Sequence, residues 1–184
     1  MRCTINPKSH DNSSHQWNEQ ALTEVYDTYA PALYRYAYRL LGQQDVVQDI
    51  VAESFYRYLL AIKNGKGPDK NLSAWLYRVT HNLIVDFFRR KSDQKIVPLE
   101  NTPLSESNTS ETTLLEREKA SQMRVAMWRL PSSQQQVIAL RFLEGFSNKE
   151  VALVMGKKVG AVKALQHRAL ANLRRILEEE NVRG

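Results

Sequence analysis

The stretch SNKEVALVMGKKVGAVKALQHRALANL, Ser147–Leu173, decides the fold. It opens with Ser147-Asn148-Lys149-Glu150, the spacing of a capping box, in which the Ser side chain accepts from the Glu amide and the Glu side chain reaches back. Val151, Leu153 and Val154 supply the apolar side of a short helix through Met155. Gly156-Lys157-Lys158 is a tight turn, and a longer helix runs from about Val159 to Leu177. At about 100° per residue, Val162, Leu165, Ala169, Leu173 and Ile176 face inward, while Lys163, Ala164, His167 and Arg168 face outward. A short capped helix, a Gly-containing turn and a basic second helix form the pattern of a helix-turn-helix, whose second helix reads the major groove of DNA. A plain helical hairpin with basic, solvated residues shares this spacing. Just upstream, Leu130-Pro131 opens a helix with Val137, Leu140 and Leu143 on its apolar side, stopping at Gly145.

Further out, the N-terminal block reads as three helices. The first spans about Glu19 to Leu41, is rich in Tyr, and is expected to kink or divide at Pro31. The second spans about Asp45 to Lys63, with Asp45 as its expected N-cap and Asn64-Gly65-Lys66-Gly67-Pro68 as its stop. The third begins near Asn71 or Ser73 and ends near Lys91. Leu72, Trp75, Leu76, Val79, Leu83 and Phe87 form its inner stripe, and Arg78, Asn82 and Arg89 lie opposite, running into Arg90. Asp45, Asp49 and Glu53 recur every four residues on the second helix and stack along one exposed face. Such a strip is either an ordinary solvated surface or a docking site for a protein.

Between the blocks, seven of the thirteen residues from Asn101 to Thr113 are Ser or Thr, and no apolar period survives. Such a composition buries too little apolar area to offset its ordering entropy. The expected organisation is therefore all-α: a disordered tail over 1–18, a helical domain over 19–93, a flexible linker over 94–115, and a second helical domain with the helix-turn-helix over 116–184.

Composition bounds the function. The chain has 184 residues, 42% hydrophobic, with 26 Lys and Arg against 20 Asp and Glu. The net charge of +6 is uneven: residues 98–122 are net −3, and residues 123–184 are net +6. Residues 141–175 alone carry eight basic and two acidic side chains, which suits a polyanionic partner as well as a solvated surface. The single cysteine, Cys3, excludes an internal disulfide framework and favours a reducing compartment. No apolar run is long enough to span a bilayer, and the polar first 18 residues contain no signal-peptide core, so a soluble cytosolic protein is expected. The four histidines, His10, His15, His81 and His167, show no metal-ligand spacing. Nothing supplies a nucleophile, a phosphate loop or a metal set, so neither an enzyme nor a cofactor is expected.

Both blocks together resemble the bacterial RNA polymerase sigma factors of the extracytoplasmic-function (ECF) group. The residues that carry the resemblance are Tyr29-Ala30-Pro31-Ala32-Leu33-Tyr34-Arg35-Tyr36-Ala37, Gln48-Asp49-Ile50-Val51-Ala52-Glu53-Ser54-Phe55, and Ala74-Trp75-Leu76-Tyr77-Arg78-Val79-Thr80-His81-Asn82 with Asp86 to Arg90. In the second block they are Leu130-Pro131, Leu140-Arg141-Phe142, Glu144-Gly145-Phe146-Ser147 and Val159-Gly160-Ala161-Val162-Lys163. The resemblance covers about residues 19–92 and 118–178.

It implies a dissociable, non-catalytic specificity subunit of core RNA polymerase with two domains, one like sigma region 2 and one like sigma region 4, and often an anti-sigma partner. By position, Asp45, Gln48, Asp49 and Glu53 meet polymerase. Arg78, Asn82, Arg89 and Arg90 hold the melted minus-ten strand. Lys157, Lys158, Lys163, Ala164, His167 and Arg168 meet the minus-thirty-five duplex. Two departures stand out: Lys158 stands where family members often have Ser, a natural N-cap that Lys cannot replace, and Ala164-Leu165 stand where many have Ser and a basic residue, so fewer direct hydrogen bonds to bases are available. A DNA-binding regulator that never joins polymerase, or a helical protein-binding adaptor, remains the alternative; the first leaves the acidic strip and the Trp75–Arg90 helix without a role, and the second predicts no salt-sensitive affinity for DNA.

Limited proteolysis of the native protein should cut first between Asn101 and Thr113 and leave two helical fragments. Protection throughout that stretch would count against a free linker.

Overall fold

The structure is a computed structural model that describes residues 19–93 and 111–181. The tail 1–18 with Cys3, His10 and His15, and the linker residues 94–110, lie outside the described residues. Every regular element among the described residues is helical, as expected: α1 (Glu19–Leu41), α2 (Gln44–Lys63), α3 (Leu72–Asp93), α4 (Glu111–Trp128), α5 (Ser132–Ile138), a π-helical turn (Ala139–Leu143), α6 (Asn148–Met155) and α7 (Val159–Asn181).

The first unit, α1–α3, departs from expectation in three places. α1 runs unbroken through Pro31. Pro31 removes one backbone hydrogen bond but faces solvent, while Ala30, Ala32 and Leu33 beside it are buried, so packing outweighs the lost bond. Asp45 is not the N-cap of α2: that position is Gln43, whose side chain makes no capping bond. Asp45 instead sits in the first turn, where its charge complements the helix dipole. The third departure is α3, which buries more than the expected stripe, because Tyr77, Thr80, His81 and Ile84 are also buried. The reason is its position between α1 and α2 on one side and the second unit on the other. Inside the first unit, the Ser54 hydroxyl donates to the Ile50 carbonyl (2.7 Å) and so accepts from the Thr80 hydroxyl (2.9 Å), satisfying both buried groups.

In the second unit, α4 begins at Glu111, inside the span expected to be linker. Among its described side chains, the apolar ones packed into the core are Ala126, Met127 and Trp128 in the final turns. The expected helix after Leu130-Pro131 is α5 extended by the π-helical turn, whose extra residue is taken up when the Glu144 amide bonds to the Ala139 carbonyl (3.0 Å). Gly145 then turns with a φ of 73°.

The two units pack against each other with a continuous apolar core. The Trp128 indole Nε1–H donates to the Leu40 carbonyl (2.9 Å), and its ring stacks on Phe88. Tyr77 meets Phe146 edge to face, with ring centroids 5.0 Å apart. His81 bridges the units: its Nε2 reaches the Ser132 carbonyl (3.3 Å) and its Nδ1 the Tyr36 hydroxyl (2.8 Å). A carbonyl can only accept, so Nε2 carries the proton and Tyr36 donates to Nδ1.

Burial lowers the His81 pKa to about 4, against the opposing effect of the Ser132 carbonyl. The unfolded chain therefore takes up a proton between about pH 6.5 and 4 that the folded chain refuses, and stability falls as pH drops through that window. The full loss is on the order of 3 kcal/mol. His81→Gln should flatten the pH dependence of the unfolding free energy over this window, measured by urea titrations; an unchanged slope would contradict a buried neutral imidazole.

Candidate nucleic-acid interface

The helix-turn-helix forms as the local sequence requires. Both halves of the capping box are present: the Ser147 Oγ accepts from the Glu150 amide (3.3 Å), and the Ser147 amide donates to the Glu150 carboxylate (2.7 Å). Gly156 ends α6 in the left-handed region, at φ 62° and ψ 36°, and the Lys157 amide returns to the Ala152 carbonyl (3.0 Å). α7 buries Val162, Leu165, Ala169, Leu173 and Ile176 as expected.

Lys157, Lys158, Lys163, Ala164, His167 and Arg168 are all exposed, so the structure brings the turn and the outward face of α7 into one surface. No acidic residue lies between Lys157 and Arg168. The ion pairs of α7 gather at its far end, where Arg174 meets Glu178 (2.9 Å) and Arg175 meets Glu179 (2.6 Å). The positive field is therefore concentrated on the early turns, where a recognition helix meets base edges.

On α2, Asp45, Gln48 and Asp49 are exposed as a strip. Glu53 is only half exposed and pairs with Arg57 (2.9 Å), so the lower end of the strip is neutralised within the helix. Beside the strip, Tyr26, Ala30, Pro31, Tyr34, Gln48 and Val51 line a shallow cleft. Its walls come from two helices, which periodicity along one helix does not pair.

On α3, Asn82, Arg89 and Arg90 are exposed. Arg89 is held by Asp86 (3.1 Å) and Arg90 donates to the Asp86 carbonyl (3.3 Å). Arg78 is exposed as well, but part of its guanidinium is engaged. Its Nε donates to the Val154 carbonyl (2.7 Å) and its Nη2 to the Leu153 carbonyl (2.9 Å), so its donors are turned to the last turn of α6. Two residues that sequence reasoning passed over join this contact. Glu144 receives Arg39 Nη1 on one carboxylate oxygen (2.8 Å) and the Tyr77 hydroxyl on the other (3.2 Å), and Arg39 also donates to the Leu143 carbonyl. Their sequence separation is over 60 residues, and no local pattern joins them.

Among the described residues no group of three or more His, Cys, Asp or Glu side chains could hold a metal ion. No described helix is long and apolar enough to cross a membrane.

Comparison with known proteins places both halves. The family model for sigma-70 region 2 matches residues 25–94, and that for sigma-70 region 4 matches residues 121–173. The chain is 34% identical to the ECF RNA polymerase sigma factor BldN of Streptomyces coelicolor, over 87% of this chain and 61% of BldN. It is 30% identical to the ECF RNA polymerase sigma factor EcfG of Rhodopseudomonas palustris, over 80% of each chain. The chain thus spans about three fifths of the first relative's length and about four fifths of the second's. The fold is similar to that of the sigma factor RpoE from Bartonella quintana, solved with the anti-sigma factor NepR, with a TM-score of 0.60 at 21% identity, covering 86% of this chain and 98% of that one.

Ser147→Ala removes the acceptor for the Glu150 amide at an exposed position and leaves the core untouched. It should cost about 1 kcal/mol in denaturant unfolding, and Ser147→Thr should retain most of the stability. Equal stability of wild type and the Ala variant would show that the cap adds nothing.

Proposed function

The chain belongs to the RNA polymerase sigma factors of the sigma-70 family, in their extracytoplasmic-function (ECF) group, and from that premise we propose that it joins core polymerase and directs promoter recognition and melting. The observation that carries the proposal is the outward face of α7, where Lys163, Ala164, His167 and Arg168 are exposed beside the Lys157-Lys158 turn on a capped helix-turn-helix. Lys157 and Lys158 meet phosphates of the minus-thirty-five duplex, which positions the domain without reading sequence. Lys163, His167 and Arg168 face the base edges.

The first unit takes the melted strand and the enzyme. Asn82 offers a donor and an acceptor to the edge of an extruded base, and Arg89, Arg90 and Arg78 meet phosphates. Asp45, Gln48, Asp49 and Glu53 form the strip that docks on polymerase, where complementary charge sets orientation and association rate more than affinity. The chain adds no catalysis; the chemistry belongs to the polymerase, in the cytoplasm. An anti-sigma partner follows from the family and adds no residue to the site.

Run-off transcription with core polymerase and a promoter library tests the proposal, and the wild type should produce promoter-specific transcripts. Asn82→Ala should keep duplex and polymerase binding but slow open-complex formation on the order of tenfold, the loss of a base-edge contact worth about 1–3 kcal/mol. A pre-melted bubble should restore its rate. Wild-type opening of linear promoters by this variant would remove Asn82 from the site, and failure of the wild type to direct any transcript would defeat the proposal.

A further inference from the structure

We infer that the middle of the outward face of α7 takes the C5 methyl group of a thymine, so that the minus-thirty-five duplex is read there by apolar contact and not by hydrogen bonds. This rests on the reading of α7 as the helix that enters the duplex. Ala164 is the centre of that face. It is exposed, and at about 100° per residue Lys163 and His167 lie to one side of it, Ala161 and Arg168 to the other, and Gly160 one turn before. The next residue, Leu165, is buried and offers the duplex nothing.

What this face can recognise follows from its side chains. Lys163, His167 and Arg168 carry donors, and Arg168 turns its Nε back to the Ala164 carbonyl at a long 3.4 Å. Gly160, Ala161 and Ala164 have no hydrogen-bonding side chain. Every base pair presents donors or acceptors in the major groove, and thymine alone adds a methyl group. A hydroxyl at position 164, donor and acceptor at once, would suit several bases. The Ala164 methyl favours only the base that carries a methyl of its own.

Gly160 is an independent sign of the same contact. It is helical, its φ lies outside the left-handed region, and no atom stands within 4 Å of where its Cβ would be. Nothing among the described residues therefore requires glycine, which is less favourable than alanine in a helix. Close approach of a ligand to the backbone is the remaining use of the missing side chain. With Gly160 one turn from Ala164, the helix can settle within methyl contact of the base edges while the exposed Lys157-Lys158 turn meets phosphates beside it.

The test uses holoenzyme assembled from the full chain and core polymerase, with the promoter duplex that it selects best from a library. Each thymine of the minus-thirty-five element is replaced in turn by deoxyuridine, which removes the methyl and keeps the pairing edge, and affinity is measured by competition. At one thymine or more the wild type should lose about fourfold, the worth of one buried methyl group. Ala164→Gly should bind the thymine duplex with a similar loss and lose nothing further with deoxyuridine at that position, a coupling that general weakening of the helix would not give. Gly160→Ala should resist urea at least as well as wild type and still bind the selected duplex several-fold more weakly. A selected element without thymine, indifference to deoxyuridine at every position, or equal deoxyuridine losses in wild type and Ala164→Gly would overturn the methyl contact. Wild-type affinity of Gly160→Ala would overturn the close approach that the contact requires. A holoenzyme that selects no promoter would instead defeat the assignment of promoter recognition to this chain, and this inference with it.

Discussion

Glu144 is a carboxylate of one helical unit whose partners belong to the other. It is almost wholly removed from water and is met by Arg39 and Tyr77 across the interface. Desolvating a carboxylate costs several kcal/mol unless its oxygens are satisfied, so this group strongly disfavours any packing of the two units that does not bring Arg39 and Tyr77 to it. Paired charges of this kind add little net stability over an apolar contact of the same shape. Their effect is on register: the apolar surfaces of Phe88, Trp128, Tyr77 and Phe146 would tolerate sliding, and the polar bonds around Glu144, Arg78 and His81 do not.

The consequence falls on α3, which is loaded on every side. One stripe builds the core of the first unit with α1 and α2. A second, through Tyr77, His81 and Ile84, is buried as the helix packs against the other unit. Arg78, Asn82, Arg89 and Arg90 remain exposed on it. Arg78, one turn before Asn82, bonds across the interface and lies on the exposed side of the helix. By contrast, α7 has a single buried stripe, and its outward face is the same whichever way the units are placed.

This difference explains what was legible in the chain alone. The helices, the capping box at Ser147, the turn at Gly156 and the inward and outward residues of α7 are all consequences of spacing within one segment, and the structure reproduces them. The family was legible for the same reason, since its marks are runs of adjacent residues. Three features were not: the unbroken α1 at Pro31, α4 from Glu111, and the engagement of Arg78. Each depends on a neighbour far away in sequence. Packing against α2 and α3 carries α1 past its proline, the described side chains of α4 that reach the core lie in its last turns, and the partners of Arg78 lie more than 70 residues on.

The sequence by itself determined an all-helical chain in two parts, the polarity of each helix face, and the surface of α7 suited to duplex DNA, because periodicity and capping act over a few residues. Only the tertiary structure decided which charged side chains bond across the interface. Arg78, Arg39 and Glu144 make bonds across the interface that no spacing along the chain indicates, because a hydrogen bond between segments depends on where the backbone brings them and not on the local pattern that surrounds each one.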